Sequence, residues 1–217
     1  MCFSAQASFT ASAVIGAVGL LSCNEARKTR FMFLALIPLM FAIQQFAEGV
    51  VWLELGGREV PDILFQASKY IYLSFAFIIW PLWLPFSLFI TEKISSRKWL
   101  IAPFMILGIF LVAYFISYLP NNTITAEVTH QSIHYSLEHP FTTNEWFLIG
   151  IYTVATIPPC FISSTKYVML FGILSSIAWI ASEFYYHANF TSVWCFFCAI
   201  VSLFIYLIIK ANVYRNH

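Results

Sequence analysis

Charge is what this 217-residue chain has least of. Only 10% of its residues are charged, with 11 Lys and Arg against 10 Asp and Glu. A soluble domain carries roughly 25%. So few charges cannot cover a water-facing surface, which excludes a soluble globular protein. The net charge of +1 gives no sign of a nucleic-acid partner. The opening MCFSAQASF lacks the basic region of a secretory signal and has no A-x-A-like cleavage site, so the first apolar segment is expected to be retained. There is no internal repeat, linker or low-complexity stretch, so residues 1–217 are expected to form a single domain.

What the chain has instead is hydrocarbon. It is 60% hydrophobic, with mean hydropathy +0.80. A helix needs about 20 apolar residues to cross roughly 30 Å of lipid. Seven segments qualify, at residues 3–23, 31–53, 65–91, 99–119, 146–163, 167–186 and 190–210. The expected fold class is therefore an all-α integral membrane protein with seven transmembrane helices. The third segment contains Pro81 and Pro85 and is expected to kink or tilt. Seven spans place Arg27, Lys28, Arg30, Lys93, Arg97, Lys98, Lys166, Lys210 and Arg215 on one side and Arg58 alone in the loops of the other. By the positive-inside rule the N-terminus is outside and the C-terminus cytoplasmic. The expected setting is a bacterial inner membrane, with lipid as the one predicted partner and protein partners left open.

The polar residues inside the spans are the candidates for function. FAIQQFAEGVVW puts Gln44, Glu48 and Trp52 at intervals of four on one helical face, with Gln45 three before Glu48. Glu48 lies about two turns below the outer surface, and Lys69, Glu183, Cys195 and Cys198 lie one to two turns in on their own segments, by a rise of about 1.5 Å per residue. Cys2 begins the first segment on the same side. Ser175, Trp179, Glu183 and His187 repeat at four on the sixth. Ionisable groups at membrane depth cost about 2.5–3.5 kcal/mol and face the bundle interior. Their common depth points to an outward-opening polar pocket, with Glu48, Glu183, Lys69 and Cys2 as catalytic candidates and Gln44, Gln45, Trp52, Trp179, Cys195 and Cys198 as lining. The simpler alternative for Glu48 is a structural ion pair with Lys69. For Ser4, Ser8, Ser12 and Gly16, spaced at four, the favoured reading is a small-residue packing seam, and the same holds for Ser192 and Ser202.

Three chemistries follow. HQSIHYSLEH supplies His130, His134 and His139, and His187 lies in the next outer turn, so Zn²⁺ or Cu²⁺ is the candidate cofactor, with Glu48 or Glu183 as general base. Cys195 and Cys198 form a C-x-x-C pair for thiol redox work, although thiols one helical turn apart are usually reduced and packed. A receptor or transporter would use the pocket through Gln45, Glu48 and Lys69. Asn121 and Asn189 match glycosylation sequons, to which no weight attaches.

The blocks MCFSAQASF, IPLMFAIQQFAEGVVW, WPLWLP and TSVWCFFCAIVSL resemble an uncharacterised bacterial family of multi-spanning membrane proteins whose members begin Met-Cys-Phe-Ser-Ala. The resemblance implies a bacterial envelope setting and no assigned activity. A looser likeness, of architecture alone, is to the seven-span ceramidase-like zinc hydrolases, whose histidines lie within spans rather than in an outer loop. The leading expectation is a membrane-embedded enzyme, with a metal-dependent form included, acting on a lipid or small apolar substrate. A small-ligand receptor or transporter and an outer-face thiol redox protein are the alternatives.

Overall fold

The computed structural model describes residues 4–118, 124–129, 131–137 and 145–214. Helix α1 (Ala5–Glu25) starts at Ser4, whose side chain accepts the Ala7 N–H. A tight turn leads through α2 (Met32–Ala35) into α3 (Ile37–Leu55). The small residues of α1 form the expected seam and face α3. Ser8 is buried, the Ser12 hydroxyl donates to the Ala42 carbonyl at 2.7 Å, and a Cβ at Gly19 would come 2.8 Å from the Leu39 backbone nitrogen.

Helix α4 (Asp62–Ser74) passes through a π-helical turn, Phe75–Ile79, into α5 (Trp80–Thr91). The π-helical turn has a local cause. Pro81 carries no N–H for the carbonyl four residues back, and the Trp80 N–H reaches instead to Phe75 O, one residue further than an α-helix allows. Helix α6 (Ser95–Tyr118) packs so closely on this turn that a Cβ at Gly108 would overlap the Pro81 carbonyl oxygen.

The long polar segment, expected to be an outer loop, contains a two-stranded antiparallel hairpin. Strand β1 (Ile124–Thr129) pairs with β2 (Ser132–Leu137) in the register Ile124↔Leu137 to Thr129↔Ser132. Gln131 takes the left-handed conformation, φ 66°, that a tight hairpin turn requires. Ile124 and Ile133 are buried beneath the hairpin. Helices α7 (Glu145–Thr156) and α8 (Pro158–Ile162) follow, separated at Ile157, since the two prolines cannot donate into the preceding turn. Helix α9 (Val168–Tyr186), a single 3₁₀ turn (His187–Asn189), α10 (Phe190–Val201) and α11 (Phe204–Val213) complete the described chain. Helix α10 folds back along α9.

Among the described residues, five helical stretches are long and apolar enough to cross a membrane: Ala5–Glu25, Met32–Leu55, Asp62–Thr91, Ser95–Ser117 and Val168–Val213. The last has 46 residues, about twice what one crossing needs, and is turned back at His187–Asn189. Phe147–Ile162 is apolar but shorter.

Candidate functional site

Glu48 stands at the centre of a buried polar cluster. It is 1% exposed, and Gln44 and Gln45 beside it are fully buried. The Ser192 hydroxyl, from α10, donates to Glu48 Oε1 at 2.5 Å. The Gln45 amide and the Tyr72 hydroxyl of α4 also face the carboxyl. Neither polar atom of the Gln45 side chain reaches a hydrogen-bond partner among the described residues. Gln44 accepts from Trp80 Nε1 at 2.8 Å, which ties α3 to α5, and its amide nitrogen lies 3.5 Å from Tyr72 O. The Cys195 thiol of α10 is a neighbour of both Tyr72 and Gln44. No cation pairs with Glu48 among the described residues. A carboxyl group in this core is therefore met only by neutral dipoles, a high-cost arrangement for a buried charge.

Lys69 does not form the alternative ion pair with Glu48 among the described residues. It is 4% exposed, but its ammonium donates to the Ile124 carbonyl at 2.7 Å and lies over the Phe65 ring. It thus anchors the first residue of the hairpin and leaves Glu48 alone. The partner is a backbone oxygen 55 residues away, which no spacing along a helix could reveal.

The hairpin roofs a cavity of about 190 Å³. Its walls are largely aromatic, with Phe77, Phe115, Tyr152, Phe190 and Trp194, and its polar margin includes His134, Ser136, His187 and Asn189. Cys195 and Tyr135 also line it. Both feel the charge of Glu48, so the cavity ends against the polar cluster. Tyr135 stacks on Tyr72, with ring centroids 4.9 Å apart and planes 15° from parallel. Burial, then the Glu48 and Cys195 charges, push the Tyr135 phenol well above its ordinary value, so it stays an O–H donor. That hydroxyl is buried and has no hydrogen-bond partner among the described residues. A second cavity of about 50 Å³ runs deeper between Phe41, Trp80, Phe171 and Cys198, sharing Tyr152, Trp194 and Cys195 with the first.

Asn189 fastens the roof. It accepts from Thr129 Oγ1 at 2.8 Å and donates to Thr129 O at 2.7 Å and Ser132 Oγ at 2.6 Å. At 3% exposure, with both ends of its amide bonded, it is part of the fold and no acceptor for a glycan. Asn121 lies outside the described residues.

The other expected residues divide as follows. Glu183 Oε1 accepts from His187 Nδ1 at 2.6 Å, the i,i+4 contact anticipated from spacing, but Glu183 does not line the cavity. Trp52 packs with Val51, Ile133 and Val193 in an apolar cluster under the hairpin, and Trp179 stands edge-on to Phe190. Neither lines the cavity. Cys195 and Cys198 are unbridged, as are Cys23 and Cys160. His134 lies on a strand, so the helical-turn geometry expected for a metal does not form there. Its Nδ1 donates to the Ala188 carbonyl at 2.5 Å. Among the described residues no three His, Cys, Asp or Glu side chains gather to hold a metal. His130, His139 and Cys2 lie outside the described residues.

Sequence reasoning missed Tyr72 and Tyr135 altogether and assigned Ser192 to packing. A signal existed for one of them: Tyr72 is three residues beyond Lys69, on the same face of α4.

Fold and site together define a helical membrane-type protein with a capped cavity above a buried carboxyl cluster. The chain belongs to a family of unknown function, DUF6629, whose model matches residues 1–216. No curated protein and no solved structure matches it.

Proposed function

We propose that the chain is a single-domain, seven-span protein of a bacterial inner membrane that binds a lipid or small, mostly apolar substrate in the outward-facing cavity and acts on it by acid–base chemistry through Glu48. The seven-span reading is supported by the five long apolar stretches, with the 46-residue stretch divided at its 3₁₀ turn and Phe147–Ile162 added as a short span. The division of basic residues supports an external N-terminus and a cytoplasmic C-terminus.

The observation that carries the functional reading is the shared wall. Tyr135 and Cys195 line the cavity and are electrostatic neighbours of Glu48. In this reading aromatic walls hold the apolar body of the substrate, the Tyr135 hydroxyl donates to its polar group, and Glu48, oriented by Ser192, exchanges the proton by way of Tyr72 or Tyr135. His187, held by Glu183, stands at the polar margin of the cavity.

The test is incubation of the purified protein, in vesicles of a bacterial lipid extract, with untargeted mass spectrometry before and after. At least one component is expected to be consumed by the wild type and left untouched by Glu48→Gln. A component retained on the protein but never converted would replace the enzyme with a receptor or carrier. No component retained or converted would end the reading. Metal analysis of the same preparation addresses Zn²⁺ and Cu²⁺ through the undescribed histidines: metal lost on His130→Ala and His139→Ala would make the enzyme metal-dependent.

A further inference from the structure

At the end of the bundle opposite the hairpin, four separate segments close around a second polar cavity, of about 300 Å³. Arg30 comes from the turn after α1, Lys93 from the end of α5, Ser164 and Thr165 from the turn between α8 and α9, and Asn212 from α11. This is the end of the molecule where the basic residues of the loops collect. We propose that this cavity binds a phosphate group, held by Arg30 and Lys93 with the Thr165 hydroxyl.

Four features support the assignment. The cavity brings two cations to one space, and the guanidinium fork of arginine matches phosphate oxygens two at a time. Glu92, whose charge Arg30 feels, has its oxygens taken up by other donors. Glu92 Oε1 accepts from the Lys93 and Ile94 N–H groups, each at 2.9 Å, and from the Ser164 hydroxyl, while Oε2 accepts the Ser164 N–H at 2.6 Å. Arg30 makes no ion pair among the described residues; its guanidinium lies over the Phe31 ring, 5.0 Å from the centroid. The frame is also rigid. Glu92 ties the α5 end to the α8–α9 turn, and Asn212 ties that same turn to α11 by accepting the Lys166 N–H at 3.2 Å and donating to Lys166 O at 3.1 Å. Finally, the Thr165 side chain is 8% exposed, and its hydroxyl makes no hydrogen bond to another described residue. The site lies where apolar helices end, the level at which lipid phosphates stand. The shared chemistry is a phosphate monoester or diester, from a lipid headgroup or from a soluble compound. The proposal does not depend on the activity assigned to the outer cavity.

The experiment is native mass spectrometry and thermal melting of the detergent-purified full chain, titrated in parallel with phosphatidylglycerol, phosphatidylcholine, inorganic phosphate and glycerol phosphate. Arg30→Gln/Lys93→Gln is compared with Arg27→Gln/Lys28→Gln, which removes equal charge from the same end but not from the cavity wall. The cavity pair is expected to weaken binding of a phosphate ligand about tenfold or more, at about 1 kcal/mol per basic residue. The control pair is expected to stay within about twofold, since its charges lie off the cavity and exposed interactions are screened. Lipid binding that depends on the cavity pair identifies a headgroup. Binding of inorganic phosphate or glycerol phosphate with the same dependence identifies a soluble ester. Equal losses in the two pairs, or no phosphate ligand bound by the wild type, would overturn the site. Melting of the unliganded variants checks their folding. If the double variant does not fold, Thr165→Val serves in its place and is expected to lower affinity about tenfold or more, as loss of one hydrogen bond to a charged group does. An unchanged affinity in that variant would also count against the site.

Discussion

Replacing Ser192 by Ala removes the hydroxyl that donates to Glu48 Oε1 and changes little else, since Ser192 is 2% exposed and its Cβ remains in place. The cost follows from the surroundings. Hydrogen bonds between helices in membranes average about 0.6 kcal/mol and reach about 1.7. This one accepts at a carboxyl that has no cation to fall back on, so the expected loss is near the upper end, about 1–2 kcal/mol. The carboxyl, not the serine, is the costly group to orphan. Glu48→Met therefore removes the group that needs the donor, and Ser192→Ala on that background is expected to cost only a few tenths of a kcal/mol. The double-mutant cycle should return a coupling of about 1 kcal/mol or more, beyond the roughly 0.3–0.5 kcal/mol scatter of independent sites. Reversible unfolding in mixed micelles, followed by tryptophan fluorescence for all four proteins, supplies the cycle. Additive effects, or a Ser192→Ala loss below about 0.3 kcal/mol, would refute the claim that Glu48 depends on this contact.

Gly108→Ala puts a methyl group against the Pro81 carbonyl; because backbone must move to admit it, a loss of about 1–3 kcal/mol is expected, and wild-type melting would contradict the close packing of α5 and α6. Asn189→Ala releases three hydrogen bonds to the hairpin; amide exchange across residues 124–137 should accelerate while exchange in α1 and α3 stays unchanged, and an unaltered hairpin would deny its role as the fastening. Burial raises the Glu92 carboxyl, but the donors from Ser164, Ile94 and Lys93 outweigh it and hold the group below the ordinary carboxylate value. Its folded value lies under its unfolded one, so its contribution is present above about 4.3, the usual glutamate value, and is lost as pH falls through the lower folded value. Acid melts should show Glu92→Gln less pH-sensitive than wild type in that range, and parallel curves would reject this assignment.

The apolar helices were legible because a membrane imposes their length and composition on the sequence. The face carrying Gln44, Gln45 and Glu48 was legible for the same reason: amides and a carboxyl cannot point at acyl chains, and spacing of three and four fixes which of them share a side. The seam of α1 and the irregular turn before Pro81 followed from small residues at intervals of four and from a missing N–H. The hairpin was not anticipated, although ITAEVT and SIHYSL alternate apolar and polar residues with the period of two that a strand requires. The abundance of polar residues hid that period. Tyr72 and Tyr135 went unnoticed because the chain has 11 tyrosines, and what distinguishes these two is a stacking contact between a helix and a strand 63 residues apart (135 minus 72). The partner of Lys69 was invisible for a related reason, since a backbone carbonyl has no signature in the sequence.

The account rests on Glu48 standing beside a cavity that a substrate enters from the hairpin end. An experimental structure in lipid nanodiscs, determined with the endogenous lipid extract present, tests this most directly. It should show Glu48 accepting from Ser192 and non-protein density bounded by Tyr135, Tyr152, Trp194 and Cys195. A Glu48 side chain turned toward the acyl chains, or a hairpin packed so that no space remains above Cys195, would contradict it.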